Sequence, residues 1–171
     1  MTYTTQAIVL KNISAREFDA AIVLYTRDFG KMRATAAGVK KQEAKLKGHL
    51  EPLSMSIVQF VLGVQGERLT YAQMVQSWPS MRIDFDRYGA AAYMAESIDR
   101  NCLTGQKDHA IWELLVGNCA VLGQERPVNV RELMGEFDRD LLEILGYAGQ
   151  KDMETINPTL ARPFGLIYNN M

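Results

Sequence analysis

The chain has 171 residues and a formal net charge of −1, with 47% hydrophobic and 23% charged residues. This composition is ordinary for a globular protein of one domain or two small ones. No apolar run approaches the roughly 20 residues that a membrane-spanning helix needs. The N-terminus has no basic stretch followed by an apolar segment, so the sequence predicts no secretory signal and a cytoplasmic location.

Cysteine and histidine are too few and too scattered to indicate a metal centre. Cys102 and Cys119 form no CxxC pair, and His49 and His109 are isolated from them and from each other. A structural zinc site takes four such ligands, usually in closely spaced pairs. The sequence therefore predicts two buried, reduced cysteines and neither a metal nor another cofactor.

The first half of the chain has the pattern of β-strands. Its apolar and alternating runs are separated by turns that contain glycine, such as Asp28-Phe29-Gly30. Five short strands close together fit a small barrel, because closure removes exposed strand edges. Periodicity does not distinguish an OB barrel from other five-stranded barrels. The predicted strands cover residues 5–11, 20–26, 31–36, 54–62 and 68–77.

The second half has the pattern of helices. Apolar residues recur at helical spacing over residues 84–101, and Asp108 is a suitable N-cap for a second helix that ends at Gly123. Asn129, followed by Glu132, predicts the start of a third helix that ends at Gly146. The sequence therefore predicts an α+β chain, with a small five-stranded barrel over residues 1–80. A helical domain with an irregular tail follows over residues 81–171.

Charge is divided unevenly between the two halves. Residues 1–80 carry 10 Lys and Arg against 6 Asp and Glu, whereas residues 81–171 carry 9 against 14. Between residues 31 and 47 six basic residues accompany one acid, and the basic residues of the predicted strand alternate with apolar ones. Such a surface suits a phosphate backbone, although a solvated loop that only aids solubility has the same composition. The six are Lys31, Arg33, Lys40, Lys41, Lys45 and Lys47.

Aromatic residues near the basic run are candidates for stacking on bases. The four are Tyr25, Phe29, Phe60 and Tyr71, and most of them are expected to belong to the barrel core. Tyr25 and Phe29 flank the basic strand, so they are the first candidates for stacking. A base stacked on an aromatic ring contributes ~1–3 kcal/mol. Stacking on bases is therefore an alternative to a core role for these rings.

Motifs of known enzyme classes are absent, so the sequence predicts a protein without catalytic activity. It contains no GxGxxG after a strand, no GxxxxGK[ST], no HExxH and no GxSxG. Acidic residues of the helices, such as Asp138 and Asp140, leave open a metal-dependent nuclease. A further alternative is a protein-interaction adaptor in which the lysine-rich loop is only solubilising.

The ordered set of segments resembles the DNA repair protein RecO family. Each segment is short and unspecific alone, but their order and spacing match over roughly residues 3–147. The segments are AIVLK (7–11), YTRDFGK (25–31), GVKK (38–41), KLKGHLEP (45–52), ERLTYA (67–72), YMAESID (93–99) and the stretch 141–147.

The resemblance implies that residues 1–80 form an OB-like DNA-binding barrel, followed by a helical domain, in a nucleoid-associated recombination mediator. It implies binding of single- and double-stranded DNA, annealing of complementary strands, and partnership with RecR and with the acidic C-terminal tail of single-stranded DNA-binding protein. By position, the residues that it assigns to the basic DNA-binding surface are Arg27, Lys31, Arg33, Lys40, Lys41, Lys45 and Lys47.

The chain departs from the family pattern after its last predicted helix. Many members carry a cysteine-rich zinc element there, whereas Gly146-Tyr147 is followed by no cysteine. Full members are also usually longer. The sequence therefore predicts either a compact, zinc-free member or one without its C-terminal lobe.

Overall fold

A computed structural model describes residues 1–14, 19–37, 46, 48–147 and 149. Within these residues, five strands precede four helices, which confirms the predicted α+β class. The strands are β1 (Thr2–Ser14), β2 (Ala20–Thr26), β3 (Gly30–Ala36), β4 (Met55–Gly63) and β5 (Gly66–Gln76). The helices are α1 (Pro79–Ile83), α2 (Phe85–Asn101), α3 (His109–Leu122) and α4 (Val130–Ile144).

The five strands form a closed barrel in the order β1-β2-β3-β5-β4. β1 pairs with both β2 and β4, and closure is completed by a short parallel pairing of β3 with β5. The remaining neighbours are antiparallel. A five-stranded barrel of this order has the topology of the OB fold, so the predicted OB-like barrel is confirmed.

The barrel interior follows from the period-two alternation of the strands. In β3, Met32, Ala34 and Ala36 are buried, whereas Arg33 and Thr35 between them are exposed. β-Bulges interrupt β1 after Val9 and β5 between Leu69 and Tyr71, and bulges allow strands to bend around so small a core. The interior cluster comprises Ala7, Val9, Ala20, Ile22, Leu24, Met32, Ala34, Ala36, Leu50, Val58, Phe60, Leu69 and Ala72.

A segment from the second half of the chain belongs to the same compact unit as the barrel. That unit comprises Met1–Ser77 and Cys102–Trp112. The Gly105 N–H donates to the Lys31 carbonyl at 2.8 Å, and the Tyr25 hydroxyl donates to the Asp108 carbonyl at 3.1 Å. The segment thus lies along β2 and β3. The predicted functional boundary at residue 80 stays a prediction.

The second compact unit comprises Trp78–Asn101 and the described residues from Glu113 onward. Arg87 of α2 donates to the carbonyls of Leu122, Gln124 and Arg126, where α3 ends. The sequence patterns did not predict α1, a single turn that begins at Pro79. The longest helix has 17 residues, and across the described ranges no helix is long and apolar enough to cross a membrane.

The predicted N-cap residues form cap hydrogen bonds at the starts of α3 and α4. Asp108 accepts hydrogen bonds from the backbone N–H groups of Ala110 and Ile111 at the start of α3. Asn129 accepts from the Glu132 N–H at 3.3 Å and donates to the Glu132 carboxylate at 3.1 Å. Both caps pair N–H groups that a helix leaves without partners.

Candidate nucleic-acid interface

Basic side chains lie along the outer face of β3 and continue onto β5. Lys31 and Arg33 alternate with the interior residues of β3, and Arg68 of β5 stands opposite Thr35 in the parallel register. Arg33 and Arg68 are exposed, and Lys31 is partly exposed. We call Lys31, Arg33 and Arg68 the basic strip. Its outward orientation follows from strand periodicity, since the opposite faces of both strands fill the barrel.

Arg27 lies at the turn that leads into β3. Its backbone N–H donates to the Gln6 carbonyl at 2.9 Å, and its side chain is exposed. The Thr26 hydroxyl accepts from the Phe29 N–H at 3.0 Å and donates to the Gly30 carbonyl at 2.9 Å. These bonds fix the turn, so Arg27 stands at the Lys31 end of β3.

Four of the seven residues that the sequence assigns to DNA contact lie outside the described residues. They are Lys40, Lys41, Lys45 and Lys47. The structure places Lys31 and Arg33 on one face of β3 and Arg27 in the turn before it, and DNA contact by all seven residues stays a prediction. Arg68 was missed because it follows a glycine turn, and its position opposite β3 depends on a parallel pairing that periodicity does not reveal.

Three aromatic rings form a cluster at one end of the barrel. Tyr3 and Phe60 stack with centroids 5.3 Å apart at 21°, and Phe29 meets both rings edge-on, at 5.6 Å from Tyr3 and 5.2 Å from Phe60. Phe60 is buried, whereas Tyr3 and Phe29 are partly exposed. These distances and angles are those of favourable aromatic pairs.

The prediction that Tyr25 stacks on bases is wrong. Its side chain is 0% exposed, and its hydroxyl is bonded to Asp108, so no ring face is open. Burial raises the pKa of the Tyr25 hydroxyl, and the nearby Cys102 and Asp108 add to this. Tyr3, which the sequence did not indicate, is the tyrosine that lies in the aromatic cluster. Extending the alternation of Ala7 and Val9 back through Thr5 would have indicated that Tyr3 faces inward.

The aromatic cluster lies beside a cavity of about 330 Å³ within the barrel unit. Asp28 and Lys107 at its edge approach to 4.0 Å, and Asp28 also accepts from the Thr5 hydroxyl at 2.7 Å. Lys31 and Glu67 also line the cavity, so its two cations balance its two carboxylates. The lining comprises Tyr3, Asp28, Phe29, Lys31, Met32, Phe60, Leu62, Glu67, Thr104, Gly105 and Lys107.

A second, more polar cleft of about 450 Å³ lies at the other end of the basic strip. Thr35 and Arg68 line it together with the β4–β5 hairpin over residues 61–67. Leu62 and Glu67 line both cavities. The outer face of β3 therefore runs from an aromatic cavity at Lys31 to an open cleft at Thr35.

Acidic residues of the helical unit do not assemble a metal centre in the part of the chain that the structure describes. Asp138 is fully buried, and its carboxylate oxygens lie 2.9 and 3.1 Å from the Tyr93 hydroxyl, which donates to them. A nuclease site that uses Asp138 as a solvent-facing ligand is therefore contradicted. Asp140 is exposed on the same helix.

Known proteins match the chain over both the barrel and most of the helical part. The family described as "Recombination protein O N terminal" matches residues 1–78. Three relatives bear the name "DNA repair protein RecO": those of Geobacter metallireducens at 32% identity, Syntrophomonas wolfei at 30% and a Roseiflexus species at 26%. The matches cover 84%, 86% and 86% of this chain and 58%, 58% and 51% of the relatives, so the chain spans little more than half of their length.

Proposed function

The chain belongs to the RecO family by its N-terminal barrel and the helices that follow, and on this premise we propose that it is a DNA repair protein whose barrel binds DNA. The observation that carries the proposal is the basic strip on the outer face of β3 and β5. β3 contains no Asp or Glu, and its only charged residues, Lys31 and Arg33, share one face. Phosphates repeat along any DNA strand, and a row of cations on a rigid strand suits them.

The proposed contact is to phosphates rather than to base edges. Lysine and arginine on an open face read no donor and acceptor pattern, so binding is expected to be independent of sequence. Both single- and double-stranded DNA offer the required phosphates. The lysines at 40, 41, 45 and 47 are proposed to contact phosphates as well.

Annealing follows from the same chemistry. Two complementary strands repel each other through their phosphates, and a cationic surface that holds both strands lowers that repulsion without ATP. The chain is therefore proposed to accelerate pairing of complementary strands, and to act as a mediator without catalysis of bond cleavage.

Protein partners are proposed for the helical unit. By family, they are RecR and the acidic C-terminal tail of single-stranded DNA-binding protein. An acidic peptide needs accessible cations, and four arginines among the described residues of the helical unit are candidates. Arg100 is held by Glu96 at 2.7 Å, and Arg126 bonds to Gln124; the other two candidates, Arg131 and Arg139, are exposed on α4.

The test of DNA binding compares the wild type with the double variant Arg33→Gln/Arg68→Gln by fluorescence anisotropy of labelled single-stranded DNA. Each phosphate contact contributes about 0.7 to the slope of log affinity against log salt. At 0.1 M salt, one decade below 1 M, each lost contact lowers the log affinity by about 0.7. Losing two contacts should therefore weaken binding about 25-fold. Arg139→Gln removes one positive charge from an exposed position on α4 and is the control for a change in net charge away from the barrel.

Two results would count against the proposal. If the double variant and Arg139→Gln bind like the wild type, the basic strip does not contact DNA. If the wild type does not bind at low salt, the barrel is better explained as a protein-interaction module. Faster annealing of complementary strands by the wild type, lost in the double variant, would support the mediator role.

A further inference from the structure

We propose that the cavity beside Tyr3, Phe29 and Phe60 binds a single unstacked base of the DNA strand that follows the basic strip. This inference rests on the proposed DNA binding and adds a specific site to it. The occupant is a planar nucleobase, and the site lies wholly within the barrel unit.

The cavity has an aromatic wall that is already organised. Phe60 is fixed in the barrel interior, and the stacked Tyr3 and the edge-on Phe29 are held against it at 5.2–5.3 Å. Tyr3 and Phe29 remain partly exposed, so ring surface is left in contact with water. Covering that surface with another flat ring recovers stacking and removes apolar area from water, without a large rearrangement.

The charge balance of the cavity favours a neutral ring over a phosphate. Two cations, Lys31 and Lys107, face two carboxylates, Asp28 and Glu67. Lys107 approaches Asp28 to 4.0 Å, so part of the positive charge is already compensated. A phosphate would meet as much negative as positive charge, whereas a base presents an uncharged ring with polar edges.

Lys31 connects the cavity to the basic strip. Its side chain lines the cavity, and it shares the outer face of β3 with Arg33, two residues along. Alternate residues on one strand face lie about 6.6 Å apart, so the two cations follow directly on one another. A strand whose phosphates contact Arg33 and Lys31 therefore passes the mouth of the cavity, where one base can turn inward.

The volume of the cavity suits one base. About 330 Å³ lies at the lower end of the range of small-molecule pockets in proteins. This is room for a single ring system with water around its polar edges. An apolar protein side chain also fits such a space, and the experiment below separates the two occupants.

The experiment measures the affinity of the full chain for two labelled oligonucleotides of equal length, one of thymidylate and one abasic at every position. Both carry the same phosphates, so only the first can fill the cavity with a base. Tyr3→Ala should weaken binding of the thymidylate strand about 5- to 150-fold, which corresponds to ~1–3 kcal/mol for one stacked base. The same variant should leave binding of the abasic strand unchanged.

Two matched variants complete the design. Tyr3→Phe keeps the ring and removes only a hydroxyl that donates to the Met1 sulfur, so it should bind like the wild type. Tyr71→Ala removes an exposed tyrosine of β5 that lies outside the cavity, and it should also bind like the wild type. A 2-aminopurine base within the strand should be quenched on binding to the wild type, a readout that needs no variant to fold.

The outcomes distinguish this inference from the function on which it rests. If the wild type binds both strands equally and 2-aminopurine stays bright, the base site is wrong and phosphate binding stands. The same conclusion follows if Tyr3→Ala weakens both strands alike. If the wild type binds neither strand, both proposals fail, and an apolar protein side chain becomes the better occupant.

Discussion

Gly30 is the position at which one added carbon should separate the segment 102–112 from the barrel. Gly30 begins β3 with a φ of +68°, a conformation that is unfavourable for any residue with a Cβ. A Cβ at this position would lie 2.0 Å from the Gln106 carbonyl oxygen and 2.9 Å from the Lys107 nitrogen. Both are backbone atoms, so no side chain can rotate away, and the segment has to move.

The expected loss of stability follows from these contacts. The left-handed conformation costs a residue with a Cβ about 1–2 kcal/mol. Moving the segment also weakens the Gly105–Lys31 and Tyr25–Asp108 hydrogen bonds, each of which contributes about 0.5–1.5 kcal/mol. Gly30→Ala should therefore lower the free energy of unfolding by about 2–5 kcal/mol.

Urea denaturation measures the loss, and amide hydrogen exchange locates it. The Gly105 amide should exchange faster in the variant, because its partner is the Lys31 carbonyl. Gly105→Ala is the matched control: it has a φ of +77° in the same segment but meets nothing within 4 Å. It should cost only the conformational part, about 1–2 kcal/mol. Equal losses for the two variants would refute the steric argument.

Three further predictions test the helical unit. Arg87→Met leaves three backbone carbonyls without their guanidinium donor and should lower the free energy of unfolding by about 2–4 kcal/mol, measured by urea denaturation. Arg100→Met, on the exposed face of α2, should lower it by less than about 0.5 kcal/mol, and equal effects would contradict the carbonyl contacts. Asn129→Ala removes the cap of α4 and should lower the melting temperature, for a loss of about 0.5–2 kcal/mol, and an unchanged melting temperature would show that the cap contributes nothing. Burial raises the pKa of the Cys119 thiol to about 12, so a thiol reagent at pH 8 should label Cys119 only after unfolding, and labelling of the native protein at the rate of the unfolded chain would contradict this burial.

Strand periodicity was sufficient to predict the five strands and the core face of β3. The predicted residues 20–26 match β2, and the alternation of Met32, Ala34 and Ala36 placed the core face of β3 correctly. The outward orientation of Lys31 and Arg33 follows from the same alternation. These are local properties of the chain, because each depends on a side chain and its neighbours two residues away.

Sequence patterns did not predict the contacts between residues that are far apart in the chain. The sequence placed Tyr25 beside the basic strand but did not reveal that residues 102–112 cover its ring. It also did not bring Arg68 opposite Thr35, which requires the β3–β5 closure of the barrel. Asp138 is a second example, since the sequence left it open as a metal ligand of a nuclease, whereas it is buried against Tyr93.

The salt dependence of DNA binding tests the central claim most directly. Anisotropy titrations of single-stranded DNA at several salt concentrations give the slope of log affinity against log salt. Three contacts from the basic strip predict a slope of roughly −2, and contacts from all seven residues assigned by sequence predict roughly −5. A slope in this range supports a phosphate-tracking surface on β3 and β5. Absence of binding at low salt, or a slope near zero, would contradict it.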